Sequence, residues 1–101
     1  MEKQDIGKNV RAALAHSPFR ENIRRVSLFG SHLHGTAHRE SDIDLLIEFH
    51  KPTSIFKLVH LEQDLTDALG AKVDLSTPMS LSRYFRSDVL QEAEPLFEAV
   101  P

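Results

Sequence analysis

The sequence predicts a small α/β sandwich, with helices packed on one face of a sheet. Two observations predict it: helical and strand periodicities alternate along the chain, and glycine or proline marks the end of several segments. A third is the segment "DIDLLIEF", where apolar and polar residues alternate for most of the length. The 101 residues allow one domain, 1–101, built around a single modest core.

Taken in order, "DIGKNVRAALAHSP" places Ile6, Val10, Ala13 and Leu14 on one helical face, with Pro18 just beyond its end. "RRVSLFG" reads as a short strand closing at Gly30. "SHLHGTAH" fits a short helix or helical turn, weakened by Gly35. "DIDLLIEF" is the clearest strand. "SIFKLVHLEQDLTDALG" sets Leu58, Leu61, Leu65, Ala68 and Leu69 on one stripe, and Gly70 is placed to end that helix. "AKVDLS" is a third strand, and "LSRYFRSDVLQEAEPLF" reads as one or two short helices broken before or at Pro95. The pattern leaves the strand directions open.

Composition narrows the function. Hydrophobic residues at 41% and charged residues at 27% are ordinary for a soluble globular protein. No apolar run approaches the length of a membrane span, and no charged-then-apolar leader precedes the first helix. Cysteine is absent, which excludes disulfides and thiolate metal sites and fits a reducing cytoplasm. A net charge of -3 argues against broad nucleic-acid binding, which needs a clustered basic surface. Neither a nucleic acid nor a membrane is therefore expected as a direct partner.

The chemistry lies in "GSHLHGTAHRESDID". Residues two apart in a strand share a face, so Asp42 and Asp44 project together while Ile43, Leu45, Ile47 and Phe49 face the core. On the next strand Val73 and Leu75 point inward and leave Asp74 on the aspartate side. If those strands are neighbours, three carboxylates converge, and each raises the others' pKa unless a cation joins them. Oxygen-only ligation suits Mg²⁺ or Mn²⁺, held with substrate phosphates and water. Gly30 and Ser31 sit where a strand yields to a helical turn, whose free N–H groups favour an anion. Glycine admits a phosphate closely, and the serine hydroxyl can donate to it.

"LFGSHLHGTAHRESDIDLLIEF" followed by "KVDL" resembles the G-S-x(10)-D-x-D signature of the DNA polymerase β-like nucleotidyltransferases, nearest to their minimal members. The resemblance covers nearly the whole chain and implies a mixed sheet and a metal-dependent transfer of a nucleotidyl group from ATP. It implies Asp42, Asp44 and Asp74 as catalytic and metal-binding, with Asp74 in position to deprotonate the acceptor. The nucleotide-binding set it suggests is Gly30, Ser31, His34, Gly35 and Ser41. Many minimal members resemble antitoxins that attach AMP to a tyrosine of a HEPN ribonuclease toxin. That implies a HEPN-family partner, and an oligomer formed with it. Where the family often has "YARGEAR", this chain has "HLHGTAH", placing His34 and His38 at two positions commonly arginine.

Plainer alternatives exist for each feature. The aspartates could line a solvated sheet face, although that would not call for a Gly-Ser pair at this spacing upstream. Gly30 and Ser31 could form a simple strand-ending turn with a serine cap. His32, His34 and His38 could be imagined as a zinc site, but the spacing puts only His34 and His38 on one helical face and no third ligand is adjacent. Ser41 could only order the approach to the strand. Phe85, Leu90, Leu96 and Phe97 could close the core or offer apolar surface to a partner. A non-catalytic module that neutralises its partner by occlusion is the alternative to the enzyme.

Histidine is only partly protonated near neutral pH, where arginine is always charged. If His34 and His38 face the phosphates, ATP affinity should rise from about pH 8 to about pH 6, through the ordinary histidine pKa of about 6.5. Titration with a fluorescent ATP analogue checks this, and a flat profile removes both residues from the phosphate site.

Overall fold

The structure is a computed structural model that describes residues 1–38 and 40–99. Helix α1 spans Lys3–Ala15, and a 3-10 turn at Arg20–Asn22 leads into strand β1, Ile23–Phe29. The short helix α2, Ser31–His34, follows, then β2, Ile43–Phe49, and α3, Ile55–Leu69. Strand β3, Val73–Ser76, a 3-10 turn at Pro78–Ser80, helix α4, Arg86–Glu92, and strand β4, Glu94–Glu98, complete the order.

Helices α1 and α3 form as their patterns dictate. Ile6, Val10 and Leu14 are buried on α1, and Ala13 packs beside them. On α3 the stripe is Leu61, Leu65 and Leu69, with Leu58 at its edge. Ala68 belongs to the solvent side instead, because the true helical repeat carries the stripe past it. The Ser54 hydroxyl accepts the Lys57 N–H at 3.4 Å and opens α3. Gly70 closes it in the left-handed conformation, φ 66°, which costs glycine little.

The sheet has the order β3-β2-β1-β4. β1 is antiparallel to both β2 and β4, while β2 and β3 run parallel, with α3 as their crossover. It is thus the mixed sheet expected. One face is core: Val26 opposes Ile47, Leu28 opposes Leu45, and Ile43 and Leu45 oppose Val73 and Leu75, all buried under α1 and α3.

The tail differs from the expectation of helices alone. Residues Glu94–Glu98 form a fourth strand on the free edge of β1. Pro95 concealed it, since proline is poor in a strand; at an edge its missing N–H costs no ladder bond on the open side. The register shifts between Val26, opposite Phe97, and Ser27, opposite Pro95, so Leu96 is an inserted residue. That bulge lets Leu96 and Phe97, neighbours in sequence, both pack on the core, with Leu96 close to Gly7 of α1. Leu96 and Phe97 therefore close the core, whereas Phe85 and Leu90 stay exposed.

The opposite face is only partly open. Leu46 and Ser27 point away from α1 and α3 yet are buried, as is Leu81, outside the main core. The Pro78–Ser80 turn contacts β2, and the segment that follows reaches α2, where Glu92 meets His34 at 3.0 Å. Residues 77–92 thus run from the end of β3 towards α2 on the face that carries the aspartates.

Leu65→Ala should lower stability by about 2–5 kcal/mol, as for buried leucines elsewhere. Phe56→Ala, at a side chain 82% exposed, should change it by less than about 0.5 kcal/mol. Urea unfolding of the two variants separates the cases.

Candidate active site

The site begins with a register. β2 and β3 pair so that Asp44 lies directly opposite Asp74, on strands spaced about 4.8 Å apart. Asp42 stands two residues earlier, at the entrance to β2, where the Ile43 N–H donates to the Lys72 carbonyl at 2.9 Å. The three aspartates are therefore gathered at one end of the sheet, as the strand periodicity predicts.

Their proximity is felt at Asp44. Partial burial raises its pKa above the ordinary carboxylate value, Asp74 raises it further, and Asp42 adds to that. His32 pulls in the opposite direction. Lys72 Nζ approaches Asp42 Oδ2 at 3.8 Å, an exposed pair that does not neutralise the cluster.

Gly30 meets the carboxylates from β1. Its backbone has φ 78° and ψ -153°, a region open essentially to glycine alone. A Cβ placed there would overlap the Asp44 carboxylate. Glycine is thus required twice: for its backbone angles, and because Asp44 lies against its Cα. Ser31 starts α2, whose first turn closes on the Gly30 carbonyl through the N–H groups of Leu33 and His34, both at 3.1 Å. The N–H groups of Ser31 and His32 come before any intrahelical acceptor, in the first turn, where an anion can meet them. Gly35 ends the turn at φ 73°, and the Thr36 N–H donates to the Ser31 carbonyl at 3.0 Å.

The other residues divide. Ser41 binds its own loop: its hydroxyl accepts the His38 N–H at 3.0 Å, and its N–H donates to the His38 carbonyl at 3.0 Å. Its carbonyl lies 3.3 Å from His32 Nε2. His34 Nε2 lies against Glu92 of α4. Because α2 stops at His34, His38 is off the helix and the two do not share a helical face. Among the described residues, no three His, Cys, Asp or Glu side chains form a ready-made metal cluster.

A cleft of about 750 Å³ opens beside the turn, lined by His32, Gly35, the start of α1, Arg11 and residues 94–96. The aspartates do not line it; they stand on the neighbouring sheet face.

A family model described as polymerase beta, nucleotidyltransferase, matches residues 9–100. The chain belongs to that nucleotidyltransferase family. It is similar to the protein adenylyltransferase MntA of Thermococcus cleftensis, 37% identical over 73 residues, which cover 72% of this chain and 74% of that one. A solved structure described as a minimal nucleotidyltransferase superposes with a TM-score of 0.78 at 32% identity, covering 94% of this chain and 96% of the other. A toxin–antitoxin structure with AMP-PNP superposes with a TM-score of 0.73 at 27% identity, covering 92% and 73%.

Three neighbours of the nucleotidyltransferase carboxylates escape a reading of the sequence. Phe29 opposes Asp44 on β1, His32 lies within electrostatic reach of Asp44, and Lys72 pairs with Asp42. Lys72 carried a signal, because it shares the alternation of Asp74. His32 stood out only as part of the histidine-rich motif, since a four-residue helix has too little periodicity to orient its side chains.

A raised carboxyl pKa favours the fold when the group is protonated, and that advantage fades as pH rises through the folded-state value. Asp44 therefore works against stability at pH 7. Asp44→Asn should raise the thermal midpoint at pH 7 without divalent cations, and the gain should shrink as pH falls through the raised folded-state value and vanish below the ordinary carboxylate value of 3.8. Thermal melts across pH measure it.

Proposed function

We propose that this nucleotidyltransferase moves AMP from ATP to a hydroxyl, that of a tyrosine, on a partner HEPN ribonuclease toxin, and so acts as its antitoxin. The observation that carries this is the in-register pairing of Asp44 with Asp74, beside Asp42 and against Gly30. Gathered carboxylates repel, and only a function that uses their charge accounts for them. The naming of the MntA relative as a protein adenylyltransferase, and of a structural neighbour as a toxin–antitoxin with AMP-PNP, supports the substrate and partner.

The residues fit Mg²⁺ or Mn²⁺. Asp42 and Asp44 offer an all-oxygen donor set, and Mg²⁺ takes one or two carboxylates with phosphate and water filling its shell, so a closed cage of three is not needed. Once bound, the ion would neutralise charge on the reacting phosphates. The N–H groups of Ser31 and His32 with the Ser31 hydroxyl would hold the triphosphate, beside Gly35, while Ser41 keeps the following loop in place. Asp74 would accept the proton of the acceptor hydroxyl. The acceptor oxygen bonds to the α-phosphorus, the bond from that phosphorus to the bridging oxygen breaks, and pyrophosphate leaves. Among the described residues no helix is long and apolar enough to cross a membrane, which is consistent with the cytoplasmic setting that ATP and the partner require.

Incubation with Mg²⁺, α-labelled ATP and the product of the neighbouring gene should place label on that protein. Asp42→Asn Asp44→Asn should abolish it, and Asp74→Asn should slow transfer by about 100-fold or more, the scale of a lost general base. Neutralisation that persists in the double variant with no label transferred would instead establish occlusion.

A further inference from the structure

We infer that the acceptor protein docks on the apolar surface of the segment joining β3 to β4, with Tyr84 at its centre. The inference rests on the transfer proposed above and adds where the partner sits. Met79, Tyr84, Phe85 and Leu90 are 79%, 84%, 48% and 45% exposed. Four large apolar side chains left exposed on one short segment of a small protein are a candidate interaction surface.

Position selects the occupant. The segment leaves β3 directly after the strand that carries Asp74, and it is fastened at both ends. Leu81 is buried at one end and Glu92 meets His34 of α2 at the other, while the Leu81 carbonyl accepts the Arg86 Nη2 at 2.9 Å within the segment. A protein whose hydroxyl reaches Asp74 must pass along this border, so the surface next to the acidic end is continuous with the path of the acceptor. A small-molecule acceptor would need no such border.

Tyr84 suits an anchor. Its ring lies 5.3 Å from the Arg83 guanidinium, which also donates to its hydroxyl at 3.4 Å. Tyrosine and arginine are over-represented among residues that dominate binding energy, and here the two are paired on the surface. A second exposed apolar group, Ile55, Phe56 and Val59, lies on α3, whose inner stripe packs on the core face of the sheet. It is turned away from the aspartates and is the natural control.

The test measures affinity of the full chain for the HEPN partner, taken as the product of the neighbouring gene, and separately for a fluorescent ATP analogue. Tyr84→Ala and Met79→Asp should each weaken the HEPN protein by at least tenfold while ATP affinity stays within twofold. Ile55→Asp Phe56→Asp should leave both within twofold. HEPN affinity unchanged in the first two variants, or lost in the α3 variant, overturns the inference, as does a wild-type chain that does not bind the HEPN protein. Photocrosslinking from a benzoylphenylalanine at position 84 gives a second readout that does not depend on lost affinity: a crosslink to the HEPN protein supports the docking surface, and its absence counts against it. If the wild type binds through Tyr84 yet transfers no AMP, the docking surface stands and the transfer falls.

Discussion

The structure depends on forcing like charges into register. Asp44 and Asp74 occupy facing positions on adjacent parallel strands, with Asp42 two residues away. Left to themselves, these side chains would separate. What prevents it is the opposite face of the same strands, where Ile43, Leu45, Val73 and Leu75 are buried together. Sliding one strand by a single residue would exchange the core row for the acidic row, exposing the apolar side chains and burying the carboxylates. Each well-buried aliphatic side chain contributes about 1.5–3 kcal/mol, so several of them outweigh repulsion among partly solvated carboxylates.

Gly30 extends the same constraint to β1. The strand must turn sharply into α2 at a backbone geometry suited to glycine, and the Asp44 carboxylate occupies the space where any Cβ would stand. The Gly-Ser element and the first carboxylates are therefore one packed unit. That explains why they recur together in the motif: the spacing measures the loop that brings β2 back antiparallel to β1, so that Phe29 meets Asp44.

The histidines temper the picture drawn from their positions in the motif. His34 is occupied with Glu92 on α4, and Ser41 with the turn that contains His38. These contacts tie the loop after α2 to its surroundings. His32, one of the three histidines in the motif, is the one whose charge reaches Asp44. The residues nearest the carboxylates are set by strand pairing and turn geometry, and chain position alone does not reveal them.

The sequence by itself determined the core rows of α1, β2 and β3, that of α3 apart from Ala68, and the shared face of the three aspartates, because each follows from a repeat of 3.6 or 2 residues. It also determined the stop at Gly70, which follows from glycine's freedom at positive φ. Tertiary structure decided the rest. It made β4 from a proline-bearing tail, because an edge position and a bulge remove the penalty that local propensity assigns. It buried Leu46 and Ser27 on the acidic face, where the Pro78–Ser80 turn meets β2. It also divided the apolar tail, sending Leu96 and Phe97 to the core and leaving Tyr84, Phe85 and Leu90 in solvent. Periodicity reports which side chains lie together on one element; which elements come to cover them is decided only when distant parts of the chain compete for the same surface.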